Sequence, residues 1–204
     1  MLNILDIQPP LRLDIYAHES MRPQVIQVRE FNAVAAEKFC KEFQEAIQRR
    51  QPIIPIHIDT YGGEVYSLQS MIGVIQTSPV PVATFTQSKA MSCGSMLLAF
   101  GTKGYRYMSP RSILMVHEVS GGAGGKVHEV RVDSDETIRL NNEIFQEMGL
   151  HCGWHKDYFL AQIHKKSHAD WYVKPEEAKK RKIVDHIGIP KLVTRVTAVT
   201  TLEF

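Results

Sequence analysis

This chain contains a serine, a histidine and an aspartate at separate points of its sequence. These three residue types can together carry out acyl transfer. Ser92 lies between an apolar run at residues 80–85 and a second apolar run that ends at Gly101. A serine at such a strand-to-helix turn can expose its hydroxyl, and a helix N-terminus favours negative charge that develops beside it. The plainer interpretation of Ser92 is an ordinary helix cap.

Two further residues could complete a nucleophilic site. His117 directly follows the apolar run at residues 113–116, and Asp170 precedes the aromatic pair Trp171-Tyr172. Taken alone, His117 is better read as a structural histidine, and Asp170 as a loop residue or a cap. Taken with Ser92, they supply the base and the orienting acid that a serine hydrolase needs.

A glycine pair follows another apolar run. Gly62 and Gly63 come after residues 53–58 and precede a helical pattern. Glycine permits positive φ and close approach of the backbone, so that free N–H groups can face a ligand. A tight turn or a phosphate loop are the competing interpretations. The phosphate loop is weak because neither a Lys-Ser/Thr pair nor a third spaced glycine follows.

The elements that must position these residues alternate between strands and helices. Strand patterns occur at residues 25–28, 53–58, 80–86, 105–108, 113–116 and 183–185. Helical patterns occur at residues 32–50, 64–77, 96–100, 126–150, 154–167 and 175–182. This alternation predicts βαβ units in one layered α/β domain. The helix at 126–150 has few apolar residues, so we expect it to face solvent or another subunit.

Bulk composition is that of an ordinary globular domain. The chain has 204 residues, 44% hydrophobic and 23% charged, with a net charge of +2. This balance gives no electrostatic reason to expect nucleic acid or a membrane as partner. The N-terminus has an early acid and no basic leader, so no signal peptide is expected. Three cysteines, few and odd in number, favour a reducing cytoplasm.

Four motifs occur in a fixed order along the chain. They are Asp-Thr-Tyr-Gly-Gly at residues 59–63, Met-Ser-Cys-Gly-Ser at 91–95, Met-Val-His-Glu-Val at 115–119 and Asp-Trp-Tyr-Val-Lys-Pro-Glu-Glu-Ala at 170–178. They resemble Asn-Ser-Pro-Gly-Gly, Ala-Ser-Met-Gly-Ala, Met-Ile-His-Gln-Pro and Asp-Arg-Phe-Leu-Ser-Ala-Pro-Glu-Ala of the Clp protease proteolytic subunit (ClpP), a self-compartmentalising serine peptidase. The resemblance covers about residues 53–187.

The resemblance implies a fold and a domain plan. The expected fold class is α/β, ClpP/crotonase-like, with layered βαβ units and a protruding handle of helix plus strand at residues 120–150. A single domain would span residues 1–204. The N-terminal segment 1–24 departs from the family, and residues 192–204 would form an edge strand or a disordered tail.

The same resemblance implies the site residues. The catalytic residues would be Ser92, His117 and Asp170. The other implied positions are the oxyanion-hole N–H groups of Gly63 and Cys93, and substrate-binding Gly62, Gly121 and Gly122. No metal or organic cofactor is expected, since ATP would be used by a partner and not by this chain.

Assembly and partners also follow from the resemblance. It implies a cytoplasmic homo-oligomeric ring, a heptamer or a stacked double heptamer, that is fed by an AAA+ unfoldase and cleaves polypeptides. The alternatives are a non-catalytic or latent ring subunit, a related serine protease with Lys89 as base, and an acyl-CoA hydratase or isomerase of the crotonase type.

One departure from the family motifs changes the charge beside His117. Glu118 replaces a glutamine of the family, and we expect it either to favour the protonated form of His117 or to reshape substrate entry.

Histidine and cysteine also recur at spacings that can hold zinc, at Cys152, His155, His164 and His168. A polar helical face is the preferred interpretation, because the family has ordinary helix there.

Overall fold

The computed structural model describes residues 23–122 and 124–193. The strands are β1 (Ile26–Val28), β2 (Ile54–Ile58), β3 (Val82–Thr86), β4 (Lys89–Met91), β5 (Arg106–Met108), β6 (Ile113–Val116), β7 (Trp171–Val173) and β8 (His186–Ile187). The helices are α1 (Ala33–Gln48), α2 (Val65–Gln76), α3 (Cys93–Ala99), α4 (Val127–His151), α5 (Tyr158–His164) and α6 (Pro175–Lys180). The α/β class predicted from the sequence is confirmed.

The main sheet has five parallel strands in the order β1-β2-β3-β5-β8. Every residue of β3 is buried, as a central parallel strand covered on both faces requires. Helix α1 begins at Asn32, whose side chain accepts a hydrogen bond from the Ala35 N–H at 2.8 Å. It buries Phe39 and Phe43 in the core.

A second sheet, in the order β4-β6-β7, was not predicted. Strands β4 and β7 have three residues each, and neither lies within a longer strand pattern. The sequence predicted one strand, then a turn at Ser92, then a helix. This order is therefore wrong in one respect. The additional strand β4 lies directly before Ser92 and pairs in parallel with β6.

Two other boundaries differ from prediction. Helix α5 is only seven residues long, because residues 152–157 form turns and Ser167 and His168 have positive φ. The strand expected at residues 183–185 begins instead at His186, where pairing with β5 starts. Ile183 and Val184 are buried apolar residues, which explains the strand-like pattern.

Helix α4 is the long polar helix predicted from the sequence. Its buried residues lie in its C-terminal half and include Leu140, Ile144 and Phe145. The described residues 117–122 and 124–126 contain no strand, so what the structure describes of the predicted handle is this helix. The predictions for residues 1–24 and 192–204 lie almost wholly outside the described residues. Among the helices described, none is both long and apolar enough to cross a membrane.

Candidate active site

Ser92 occupies a sharp turn between β4 and α3. Its φ of 53° and ψ of −123° are unfavourable for any residue except glycine. Its N–H donates to the Met115 carbonyl at 2.8 Å, which continues the pairing of β4 with β6. This strained strand-to-helix turn is the geometry that presents a nucleophilic serine in other hydrolase folds.

His117 approaches Ser92 from the neighbouring strand. It directly follows β6, which lies beside β4 with Met91 opposite Met115. The Nε2 atom of His117 is 2.8 Å from the Ser92 Oγ. This distance is within the reach that a general base requires for proton transfer. The structure thus brings together two residues that the sequence places 25 positions apart.

Gly63 and Cys93 line the same small cleft as Ser92 and His117, and each carries a backbone N–H group. Within the part of the chain that the structure describes, neither group donates a hydrogen bond to a protein acceptor. The Cys93 thiol donates to the Gly63 carbonyl at 3.1 Å, and burial raises the pKa of this thiol. The two N–H groups are therefore unpaired within the described residues, while the thiol remains protonated near neutral pH.

Glycine is needed at both positions of the pair before α2. Gly62 has φ +114°, and a Cβ there would lie 2.6 Å from the Cβ of Ser92. Gly63 has φ +150°, and a Cβ there would clash with the backbone of Phe31. The backbone of this turn consequently packs directly against the serine.

Asp170 lies opposite His117 in the strand register, but the two side chains are not hydrogen-bonded in the described part of the chain. It directly precedes β7, and the pairing of Val116 with Trp171 places it across from His117 at the end of the antiparallel pair. Asp170 is exposed, and no hydrogen bond joins it to His117 among the described residues. The structure therefore assembles the Ser-His pair, while the carboxylate remains apart.

Gly121 and Gly122, predicted to bind substrate, are exposed and are not among the residues lining the cleft. A Cβ on Gly121 would lie 2.9 Å from the Thr137 Oγ1, so this glycine faces α4. Their role in binding substrate stays a prediction.

Lys89 is poorly placed to act as base for the serine. Its Nζ donates to the Asp59 carboxylate at 2.8 Å and lies 4.5 Å from the centre of the Tyr61 ring. The hydrogen bond with Asp59 raises the pKa of Lys89. A base must be unprotonated, so the alternative of a lysine base is disfavoured.

Glu118, which also lines the cleft, contacts two histidines. One carboxylate oxygen lies 2.6 Å from His168 Nδ1, and the other lies 3.4 Å from His164 Nε2. The hydrogen bonds with His168 and His164 hold the pKa of Glu118 below its ordinary value. The spacing of the histidines was noted from the sequence, but their carboxylate partner was missed because it lies 46 and 50 positions away.

The four residues with zinc-like spacing do not come together. Cys152 is buried against the Arg106 guanidinium, and burial raises the pKa of its thiol to about 11. His155 lies 3.4 Å from the Asp157 carboxylate. Only His164 and His168 approach each other, with ring centres 4.3 Å apart.

A buried ion pair joins β5 of the main sheet to the residue before β8. The Arg106 side chain, 3% exposed, donates to Asp185 at 2.7 and 2.9 Å. Asp185 also accepts from the N–H of Gly104 at 2.7 Å. The sequence placed Asp185 only in a strand pattern and did not reveal its partner, which lies 79 positions away.

Comparison with known proteins gives a consistent family match. The Clp protease family profile matches residues 12–191. The ATP-dependent Clp protease proteolytic subunit 1 of Rhodopirellula baltica is 29% identical over 140 residues, which is 69% of this chain and 60% of that protein. The ATP-dependent Clp protease proteolytic subunit 2 of Corynebacterium glutamicum is 31% identical over 134 residues, 66% of this chain and 65% of that protein. The match thus spans less than two thirds of either relative.

Proposed function

The chain belongs to the Clp protease family, and from this premise we propose that it is a serine endopeptidase subunit of a self-compartmentalising protease. Its substrates are unfolded proteins or peptides. The observation that carries the proposal is the 2.8 Å separation between Ser92 Oγ and His117 Nε2, at a turn where Ser92 has a positive φ. This pairing is what a serine nucleophile needs for activation.

The chemistry is acyl transfer in two steps. His117 accepts the proton of Ser92 as Oγ attacks the peptide carbonyl, and then donates it to the leaving amine. Water hydrolyses the resulting ester by the reverse sequence of proton transfers. The free N–H groups of Gly63 and Cys93 stabilise the oxyanion, and each such donor contributes about 3–4 kcal/mol in serine proteases.

Asp170 takes the third position of the triad. In the proposed active state its carboxylate accepts a hydrogen bond from the Nδ1–H of His117, which fixes the tautomer and stabilises the imidazolium. Its exposed side chain must turn toward His117 to do so. The pairing of Val116 with Trp171 supports this role, because its register sets Asp170 opposite His117.

A second candidate function is that of a latent or non-catalytic ring subunit. The observation in its favour is the absence of a hydrogen bond between Asp170 and His117 among the described residues. A subunit whose carboxylate never reaches the histidine would assemble with the ring and contribute little to hydrolysis.

Assembly and location complete the proposal. The two relatives are named subunits of an ATP-dependent protease, and we propose that this chain likewise forms a heptameric ring, single or stacked, fed by an ATP-driven unfoldase. Exposed apolar side chains on α4, Val127, Val132 and Ile138, support subunit contact. Three free cysteines support a cytoplasmic location. Hydrolysis itself needs no cofactor.

Casein degradation and hydrolysis of a fluorogenic peptide test the function. We expect the purified chain to cleave at least the peptide, and Ser92→Ala to abolish cleavage. Ser70→Ala is the matched control, because Ser70 is exposed on α2 and only contacts the Tyr66 carbonyl. Activity retained by Ser92→Ala would overturn the proposal. Turnover of an acyl-CoA without cleavage of peptide would favour the crotonase alternative.

A further inference from the structure

A cluster of three potential metal ligands lies beside the Ser92–His117 pair. Glu118 follows His117 directly, His164 ends α5, and His168 lies in the turn after it. One ligand atom from each side chain lies within 4.8 Å of the other two. Two imidazoles and one carboxylate form a ligand set that zinc commonly binds, with water in the fourth position.

One of the two distances from a histidine nitrogen to the Glu118 carboxylate matches a tetrahedral zinc site, and the other is shorter. Zinc bonds to nitrogen and oxygen are about 2.0–2.2 Å long, so neighbouring ligand atoms lie about 3.3–3.5 Å apart. The His164 Nε2 is 3.4 Å from one Glu118 oxygen, which fits this separation. The His168 Nδ1 is 2.6 Å from the other oxygen and must move out by roughly 0.7–0.9 Å to accept an ion.

The three side chains are accessible without unfolding. Their exposed fractions are 31% for Glu118, 49% for His164 and 59% for His168. Ser167 and His168 have φ of 59° and 61°, an unfavourable conformation for residues other than glycine. This turn folds the His168 ring back beside His164 and so gathers ligands from one end of α5.

We propose that Glu118, His164 and His168 bind one divalent transition-metal ion, with Zn²⁺ the best match. The bound ion ties the segment that carries His117 to the segment that leads into Asp170, since His168 precedes Asp170 by two residues. It takes no part in peptide hydrolysis. Its role is to restrain two segments that each carry a residue of the proposed triad.

Titration calorimetry on the full chain without a histidine tag tests the site. We expect one Zn²⁺ per chain, and Co²⁺ in its place should give the visible absorption of a four-coordinate ion. Glu118→Gln and the double variant His164→Ala/His168→Ala should each weaken Zn²⁺ binding by about tenfold or more. His155→Ala is the control, because His155 is an exposed histidine outside the cluster.

Hydrogen exchange provides a second readout that is independent of catalysis. In a Ser92→Ala background, Zn²⁺ should slow amide exchange in residues 117–120 and 164–170, and Glu118→Gln should remove this protection. Because neither readout needs peptidase activity, a failure of the metal site is distinguishable from a failure of the proposed function. Absence of stoichiometric binding, or equal binding by the wild type and both ligand variants, overturns the proposal.

Discussion

Ser92 and His117 lie at the carboxyl ends of two neighbouring parallel strands, and one backbone hydrogen bond fixes their relative position. The Ser92 N–H donates to the carbonyl of Met115, two residues before the histidine. The Oγ and Nε2 atoms then meet at 2.8 Å. Since strand pairing sets this distance, the pair is formed without any contribution from Asp170.

Replacement of His117 tests the general base. His117→Asn should lower kcat/KM for a fluorogenic peptide by about 10⁴-fold or more, because among the described residues His117 is the base that hydrogen-bonds the Ser92 hydroxyl. Thermal unfolding of the variant, measured alongside, should remain close to that of the wild type. Retention of more than a tenth of the activity would exclude His117 as the base.

Replacement of Asp170 distinguishes the proposal of an active triad from the proposal of a latent subunit. Asp170→Asn should lower kcat by roughly 10⁴-fold with little change in KM, because the histidine loses the acceptor that fixes its tautomer. Asp157→Asn is the control, because Asp157 is an exposed aspartate beside His155. Its kcat should equal that of the wild type. If Asp170→Asn is as active as the wild type, the carboxylate does not reach His117 in the working enzyme.

The contact between Gly62 and Ser92 can be tested with a matched glycine. Gly62→Ala puts a methyl group 2.6 Å from the Ser92 Cβ, so we expect loss of peptidase activity. Gly104→Ala is the control: its φ of +89° is also strained, but open space surrounds it. Each variant should lose about 1–3 kcal/mol of stability. Equal activity in the two variants would contradict the contact.

The Arg106–Asp185 pair should govern stability without touching the reaction. Asp185→Asn leaves the buried guanidinium without its counter-charge and should lower the free energy of unfolding by about 3 kcal/mol in urea titrations at pH 7. Asp133→Asn, at an exposed position of α4, should change it by less than about 0.5 kcal/mol.

The same pair predicts a pH dependence. Burial alone would raise the pKa of Asp185, but the hydrogen bonds from Arg106 outweigh burial and hold it below its ordinary value. A carboxyl whose pKa is lowered on folding stabilises the protein fully above its unfolded value, about 4. That contribution is lost as the pH falls through the folded value. Urea titrations from pH 7 to 3 should therefore show the difference between wild type and Asp185→Asn shrinking below pH 4, and a constant difference would contradict this.

The sequence predicted the features of the fold that a local residue pattern encodes. Long apolar runs predicted the central strands, and the polar composition of residues 126–150 predicted an exposed α4. Ser92 was found because it lies between two apolar runs, and His117 because it directly follows one. The strands β4 and β7 were missed, whereas β1 and β5, also of three residues, were predicted as parts of four-residue patterns.

Contacts between distant side chains were the other part that sequence could not predict. The spacing of His164 and His168 was visible, but not the carboxylate of Glu118 between them. Whether the Asp170 carboxylate faces His117 depends on the conformation of the residue before β7, which no local pattern specifies.

A fluorophosphonate probe tests the central claim most directly, because it reacts only with a serine whose hydroxyl is activated. Peptide mass spectrometry should locate the adduct on Ser92, and Ser92→Ala should remain unlabelled while Ser70→Ala is labelled as the wild type. An adduct on another serine, or none in the presence or absence of a candidate unfoldase, would contradict the account of Ser92 and His117 as an activated pair.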